Sequence, residues 1–443
     1  MDQGSNDNTI MPITTKSNST FDTDPEATFI QELIPMTGYL HPDHEKTTEA
    51  FFHKNNTKQQ RQLIEILESW ETLLEDSNSP EQMAEKAVTY ATEATDCYQK
   101  NMELLIAETK ELEQSYYAID YFFRNAGESI ENCSFLNADI DQLTDLDNTL
   151  FIDAVSNELN ANFDRLDLSD NYSLLVIPGY LKSTTILEKW AKIAYNNKVL
   201  LITDYRHLDA PDDVVDFFEE SHITGNEPFR SNSIMTCNWL VGRGGYDMLS
   251  QQDALFIPPS TALAGAIYKG LLSQVSAGAS FGVLYGAKGV RFQLKKNDLS
   301  ALEELGLIPI RYEHGKTIAY SSKTLFNGDN LGLQTYSVVR VFDYVTKVLM
   351  DFLNRRTFEN FNATMRKELM TEVVLFLDKN TGPGKLIDNF TINRFEQDSK
   401  DKNKIHLDVR MEPYFPSKNF LLKMNFETLN ESKNWDTAIE LDQ

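Results

Sequence analysis

The residues best placed for chemistry follow an apolar stretch, residues 199–202, whose composition predicts a buried strand. Asp204 and His207 lie just past its carboxyl end, where α/β proteins commonly place reactive groups. Neither a G-x-S-x-G nucleophile motif nor a third partner at a recognisable spacing accompanies them. We therefore predict no catalytic residue, and a metabolic α/β enzyme that uses Asp204 and His207 stays only a remote alternative.

Two loops contain residue types that bind nucleotides. Residues 178–185 connect a predicted strand to a predicted helix and include Lys182 and Ser183, but the glycine that a Walker motif needs directly before its lysine is absent. Residues 242–245 contain two glycines at the interval of a dinucleotide loop, yet Asp247 stands where the third glycine belongs. We predict a turn with a helix N-cap at the first loop, a tight turn at the second, and no cofactor.

Metal-binding residue types are also present. His41 and His44 could begin a metal site, but no second ligand pair follows them, so a surface turn is the better interpretation. The cysteines, Cys97, Cys133 and Cys237, are too few and too far apart for a disulfide framework or a thiolate metal site. We predict no metal and a reducing compartment.

The first residues lack the basic start and apolar core of a signal peptide, and no run approaches the ~20 apolar residues that span a bilayer. We expect a cytoplasmic protein without direct membrane insertion. The formal net charge of −26 is uneven, since residues 1–145 hold 28 acidic and 9 basic side chains, a net charge of −19. This excess of negative charge disfavours nucleic acid and anionic membranes as partners and favours basic protein surfaces. A solvated helical face explains the same charge excess equally well.

The N-terminal part of the chain shows helical periodicity after a polar arm, residues 1–28, that we predict to be flexible. A short amphipathic helix is predicted at Phe29, Ile30, Leu33 and Ile34. A second apolar stripe comprises Leu63, Leu67, Trp70 and Leu74. A longer helix begins near Pro80, a residue favoured in the first turn of a helix. These apolar stripes need a cover from the core domain or from another chain.

From about residue 148 the pattern becomes that of an α/β core. Residues 174–177, 184–196 and 199–202 predict a strand, a helix and a strand, and hence a parallel pair joined by a crossover helix. Further strands are predicted at 234–241 and 280–285, and further helices at 261–275, 333–356 and 361–378; residues 302–305 end another helix, before Ile308 and Ile310.

Two alternating runs near the end, residues 404–412 and 419–426, predict strands with one apolar face each. The apolar residues are Ile405, Leu407, Val409 and Met411 in the first run, and Phe420, Leu422, Met424 and Phe426 in the second. We expect another chain to supply the strands that cover this apolar side and these edges, as in an assembly subunit.

Several blocks in order carry a resemblance: the strand, helix and strand of residues 174–202, Phe-Arg-Ser-Asn-Ser at 229–233, Leu-Glu-Glu-Leu-Gly-Leu-Ile-Pro at 302–309, the long helix of 334–355, and residues 413–426. They resemble the large subunit of the type VI secretion contractile sheath, the TssC/VipB-like family, which is related to phage tail-sheath proteins. The chain is similar to a divergent branch of that family.

The resemblance implies an α/β (α+β) fold: a tail-sheath-like core with a mixed sheet and flanking helices, an N-terminal helical hairpin and C-terminal strands that add to a neighbour's sheet. It implies four regions. These are a flexible arm with a short helix (1–55), an acidic helical region that binds the small sheath subunit (56–147), an α/β core (148–385), and a strand-exchange module with an acidic tail (386–443).

The resemblance also implies a function and partners. Such subunits pair with a small sheath subunit (TssB/VipA-like), stack as helical rings around an inner tube protein (Hcp-like) on a baseplate, and are recycled by an AAA+ ATPase (ClpV-like). By resemblance, the stripe from Leu63 to Leu74 binds the small subunit, and the helix from Phe29 to Ile34 is recognised by the ATPase. The resemblance also implies that the two C-terminal runs, which contain the alternating apolar residues, form strands exchanged with neighbouring subunits.

A charged edge of the long helix is a candidate surface towards the inner tube, comprising Arg340, Lys347, Arg355 and Arg356, although ordinary solvated charges explain it equally well. The alternative function is a phage-tail-like or extracellular injection-system sheath protein, which normally needs no small partner.

Overall fold

The computed structural model describes residues 57–128, 130, 133–164, 171–244, 254–417, 419–424 and 437–442. The chain divides into two compact units, Met1–Met102 and Glu103–Gln443. Helix α1 spans Thr57–Glu75, and helix α2 spans Pro80–Ala126. The predicted helix start at Pro80 is confirmed. None of the described helices has the length and apolar character that crossing a membrane requires.

The second unit contains most of the regular structure. Up to residue 319, the elements after α2 are α3 (Ile140–Thr144), α4 (Leu150–Asp164), β1 (Leu174–Val176), α5 (Thr184–Asn196), β2 (Leu200–Asp204), α6 (Pro211–Ser221), a 3₁₀ helix (Pro228–Asn232), β3 (Ser233–Cys237), β4 (Leu240–Arg243), β5 (Leu255–Ile257), α7 (Ser260–Lys269), α8 (Gly278–Phe281), β6 (Val283–Leu284), α9 (Lys296–Glu304), β7 (Leu307–Glu313) and β8 (Lys316–Ala319). The elements that follow are α10 (Tyr336–Arg355), α11 (Ala363–Lys379), β9 (Ile387–Gln397), β10 (Ile405–Pro413), β11 (Asn419–Met424) and β12 (Thr437–Asp442).

A six-stranded mixed sheet with the order β1-β2-β3-β7-β8-β6 forms the centre of this unit. β1, β2, β3 and β7 are parallel, and β8 and β6 are added antiparallel. The predicted parallel pair with its crossover helix α5 is therefore confirmed. The single strand predicted at 234–241 is wrong, because Asn238 has φ 71 and breaks the run into β3 and β4. Its side-chain amide donates to the carbonyl of Ile310 at 2.7 Å, which holds this break in place.

Both faces of the sheet are covered, as is usual for parallel strands. Successive residues of β2 show this directly: Leu201 belongs to one buried cluster, with Trp190 of α5, whereas Leu200 and Ile202 belong to the other, with Leu263 of α7. Side chains alternate between the two faces of a strand, so a continuous apolar run fills both layers. This explains why β2 is buried along its whole length.

The last turns of α2 pack closely on α7. A Cβ built on Gly265 of α7 would lie 2.4 Å from the carbonyl oxygen of Phe122 and 2.8 Å from Cβ of Asn125. The buried Asn125 also ties α2 to the strand edge, because its side chain accepts from the N–H of Tyr285 at 2.8 Å and donates to the carbonyl of the same residue at 3.0 Å. Glycine is required at this crossing because the two backbones leave no room for a side chain.

The C-terminal part pairs its strands differently from our expectation. β10 pairs antiparallel with β9, a strand that sequence patterning missed, and β11 pairs with β12 in a separate two-stranded sheet. The predicted helices at 333–356 and 361–378 are confirmed as α10 and α11, with ends that differ by one to three residues. Val345 of α10, Leu377 of α11 and Ile387 of β9 form one buried cluster, so the β9–β10 hairpin has its own small core.

Candidate assembly surfaces

Asp204 is a buried structural acceptor. Its carboxylate accepts hydrogen bonds from the N–H of Gly179 and the N–H of Ser260, both at 2.8 Å, and from the hydroxyls of Ser260 and Thr236. These four donors join the ends of β2 and β3 to the loop after β1 and to the start of α7. His207 is exposed, and its ring contacts those of Trp239 and Phe256 at tilted angles. Both Asp204 oxygens are occupied by these donors, so the two residues form no catalytic pair.

Burial raises the pKa of Asp204 from its usual 3.8 to about 6, against the lowering effect of the hydrogen bonds from Ser260 and Thr236. The native state therefore binds this proton more tightly than the unfolded chain, and the carboxyl contributes less stability as the pH rises through 6. We expect the difference in free energy of unfolding between the wild type and Asp204→Asn to fall by roughly 1 kcal/mol from pH 5 to pH 7. Urea unfolding of both proteins from pH 5 to pH 7 measures this difference. A difference that does not change with pH would contradict the raised pKa of Asp204.

The loop from 178 to 185 is the predicted turn with a helix N-cap. Ser183 accepts a hydrogen bond from the N–H of Ile186 at 3.3 Å and caps α5, and Lys182 pairs with Asp141 at 2.8 Å. Among the described residues, no group of three His, Cys, Asp or Glu side chains could hold a metal ion. His41, His44 and Asp247 lie outside the described residues, and so does the helix predicted at Phe29, Ile30, Leu33 and Ile34.

The stripe predicted on α1 is partly open to solvent. Trp70 is 54% exposed and Leu74 is 58% exposed, whereas Leu67 is half-buried. The side chain of Leu63 lies outside the described ones. Exposed side chains of this size are available to a partner, so binding of a second chain at this stripe stays a prediction.

A larger apolar stripe lies on α2, within the second unit. Its members are Leu105, Leu112, Tyr116, Ile119 and Phe123, which are 55%, 73%, 64%, 44% and 42% exposed. At 100° per residue, these five side chains share one side of the helix, and the buried Ala118, Tyr121 and Asn125 lie on the opposite side. Their spacing of 7, 4, 3 and 4 residues is that of a seam between packed helices. The sequence showed the periodicity, but only the structure shows which of the two sides is uncovered.

The apolar face of β10 is covered within the chain. Leu407, Val409 and Met411 are half-buried and pack against the cluster of α10, α11 and β9, while Ile405 is 42% exposed. The expectation that another chain covers this face is therefore wrong for these three residues. In the described part of the chain, the outer edge of β10 has no strand partner. The side chains of Phe420, Leu422, Met424 and Phe426 lie outside the described ones.

The charged edge predicted on α10 does not exist as one surface. Arg340 and Lys347 are only 8% and 9% exposed, so the prediction that they face an inner tube is wrong. Arg356 pairs with Glu359 at 2.8 Å and lies near two further carboxylates. Arg355 is 64% exposed in its side chain and pairs with Asp351 one turn earlier on α10. Arg340 and Lys347 share one side of α10 with Tyr336, which is buried in the core, so this side of the helix faces inward.

Comparison with solved structures shows what this fold resembles. The helical sheath of the anti-feeding prophage (AFP) in the contracted state matches with a TM-score of 0.50 and 18% identity, covering 71% of this chain and 82% of that chain. The AFP baseplate matches with a TM-score of 0.49 and 16% identity over 70% of this chain and 80% of that one. The contracted PVC sheath complex of an extracellular contractile injection system matches with a TM-score of 0.46 and 16% identity. This match covers 62% of this chain and 76% of that chain. The chain thus has a tail-sheath-like fold.

The chain belongs to the TssC/VipB family of the type VI secretion system. Residues 104–327 match the family's central domain, residues 335–441 its C-terminal domain and residues 20–102 its N-terminal region. The comparison with curated proteins finds no match. Family membership confirms the resemblance and makes the chain a contractile sheath subunit, a structural protein and not an enzyme.

Proposed function

We propose that this chain is the large subunit of a type VI secretion sheath. It pairs with a small sheath subunit, polymerises into a helical tube around an inner tube protein, joins a baseplate and contracts to drive injection. We place this assembly in the bacterial cytosol. Recycling by an AAA+ ATPase through Phe29, Ile30, Leu33 and Ile34 belongs to the same proposal.

The observation that carries the proposal is the uncovered stripe of α2, from Leu105 to Phe123. The opposite side of this helix is held by the core, so the stripe cannot turn inward. Five large apolar side chains at helix-packing spacing are costly to leave in water, and a helix of a second chain that lies along them removes that cost. Exposed acidic residues such as Glu108 and Glu111 flank the stripe and favour a partner with basic residues at its rim.

Polymerisation is supported by the C-terminal strands. A two-stranded sheet is marginally stable alone, and unpaired strand edges accept strands from other chains through main-chain hydrogen bonds. Such links join the bodies of neighbouring subunits while leaving the bodies free to rotate. Contacts of this head-to-tail kind generate a helical filament when they do not close into a ring.

The test is co-expression of the chain with the small sheath subunit, followed by co-purification and negative-stain electron microscopy. We expect Leu112→Glu with Tyr116→Glu to abolish co-purification and tubes, because two carboxylates would be placed in an apolar seam. Both side chains are largely exposed, so the fold should persist, and a thermal melt checks this. Leu331→Glu is the matched control, since Leu331 is 65% exposed and lies outside the stripe.

Two results would contradict the proposal. Normal co-purification and tubes from the double variant would show that the stripe does not bind the partner. Hollow tubes formed by the wild-type chain without any companion would favour the alternative, a sheath of the phage-tail or extracellular injection type.

A further inference from the structure

A cavity of about 210 Å³ lies beside the first half of α10, in the second unit. Tyr172 and Lys198 line it from the segments that precede β1 and β2, and Arg340, Asp343 and Lys347 line it from α10. Sites for drug-sized ligands usually have ~300–1,000 Å³, whereas a single water needs only ~10–15 Å³. The cavity therefore suits a few waters or one small polar group.

The charges around this cavity do not balance. Three of its side chains are cations, Lys198, Arg340 and Lys347, and one is a carboxylate, Asp343. Asp343 already accepts a hydrogen bond from the side-chain amide of Asn232 at 2.6 Å, and it lies 4.0 Å from Lys198. The Lys347 ammonium donates to the carbonyl of Tyr172 at 2.7 Å, a neutral acceptor.

Arg340 is the least compensated of the three. It is 8% exposed, and its Nε and Nη1 atoms are buried with no hydrogen-bond partner. In the part of the chain that the structure describes, no carboxylate forms an ion pair with it. Burial lowers the pKa of Arg340 to about 10, and burial likewise lowers the pKa of Lys347 to about 8. A buried guanidinium without a counter-ion is unfavourable, so an anion in the cavity beside it supplies negative charge that the chain does not.

We propose that this cavity binds one oxyanion group, held by Arg340 together with Lys198 and Lys347. The guanidinium supplies a permanent positive charge beside the oxyanion, and the two ammonium groups add further positive charge and hydrogen-bond donors. The oxyanion can come from solution, as free phosphate, or from an acidic side chain of another polypeptide in the sheath. Both sources present the same chemistry to Arg340.

The first arm of the test uses inorganic phosphate with the full-length chain. We expect phosphate to raise the thermal midpoint of the wild type above that in sodium chloride of equal ionic strength. Its apparent affinity should drop at least about tenfold in Arg340→Met, because the substitution removes a close positive charge from a partly dry site. In buffer free of oxyanions, Arg340→Met should be no less stable than the wild type, because methionine removes an unpaired buried charge.

Arg355→Gln is the matched control for this arm, because Arg355 lies on the same helix with an exposed side chain. It should bind phosphate as the wild type does. If Arg340→Met does not fold, Lys198→Gln takes its place, since the Lys198 side chain is 26% exposed at the cavity, and a severalfold loss of affinity is expected. Equal stabilisation of wild type and cavity variants by phosphate would mean an adventitious ion only and would overturn the proposal.

The second arm distinguishes the two sources and rests on the proposed function. If phosphate leaves the wild type unchanged, but a folded Arg340→Met fails to form tubes while Leu331→Glu forms them, the oxyanion comes from a neighbouring chain. If phosphate has no effect and Arg340→Met also assembles normally, the cavity holds only water and the proposal is wrong. The phosphate arm does not depend on sheath assembly, so failure of the proposed function leaves it interpretable.

Discussion

Removing residues 419–443 should abolish tube formation while the α/β core stays folded. The deleted segment contains β11 and β12, which pair with each other and with no other strand of the described chain. The described members of the buried clusters in the second unit all precede residue 412, so the deletion removes none of these side chains. An isolated two-stranded sheet gains little stability alone, which is the reason we assign it to contacts between subunits. Electron microscopy of the co-expressed complex shows whether tubes form. A thermal melt of the truncated chain shows whether the α/β core stays folded.

A matched pair of substitutions controls for the length of the deletion. Leu422→Pro removes a backbone N–H in β11 and should prevent tubes, whereas Leu422→Val keeps the main-chain hydrogen bonds and should allow them. Tubes of normal length from the truncated chain or from Leu422→Pro would show that these strands do not link subunits. Loss of the core melting transition in the truncated chain would show instead that the segment stabilises its own subunit.

Replacing Gly265 with valine should destabilise the second unit by more than about 3 kcal/mol, at or beyond the usual range for overpacking. A Cβ at this position would approach the carbonyl oxygen of Phe122 to 2.4 Å and the N–H nitrogen of Ala126 to 2.9 Å. Both are backbone atoms, so α2 must move away from α7, and the buried Tyr121 and Leu263 would lose contacts. Urea unfolding measures the free energy of unfolding.

Gly244→Val is the control for this substitution, because a Cβ on Gly244 would meet no atom of the described residues within 4 Å. Its free energy of unfolding should stay within about 0.5 kcal/mol of the wild type, as for most surface changes. A similarly small change in Gly265→Val would mean that the two helices do not cross as closely as the structure places them. Because the same helix α2 carries the exposed stripe, we also expect Gly265→Val to weaken partner binding.

The stripe on α2 and the cavity beside α10 are two places where the chain leaves side chains without suitable partners. Leu112 and Tyr116 are apolar side chains left largely in solvent, whereas Arg340 is a buried cation without an anionic partner among the described residues. A subunit of a contractile polymer acts through its contacts, and a change of contacts between two lattices can release free energy without any catalytic group. Features that would be defects in a self-contained protein are thus expected in a sheath subunit.

Local patterns in the sequence determined several elements of this protein. Pro80 marks the start of α2, Ser183 caps α5 and the apolar run that includes Leu201 forms β2, because turn chemistry and residue spacing act within a few residues. The order of several weak motifs was enough to indicate the family, since each motif is a local pattern at a definite place in the chain.

Only the tertiary structure decided which faces are covered and which groups meet. Arg340 lies on a helix whose polar residues predicted a solvated edge. Packing against residues far away in the chain instead buries its side chain beside a cavity. Leu407 alternates with polar residues as a strand should, but sequence could not show that α10, α11 and β9 of the same chain cover it. Asp204 meets Gly179, Thr236 and Ser260 because neighbouring strands end at one edge of the sheet. Periodicity shows that a side is apolar, whereas contacts between residues far apart in the chain determine what that side packs against.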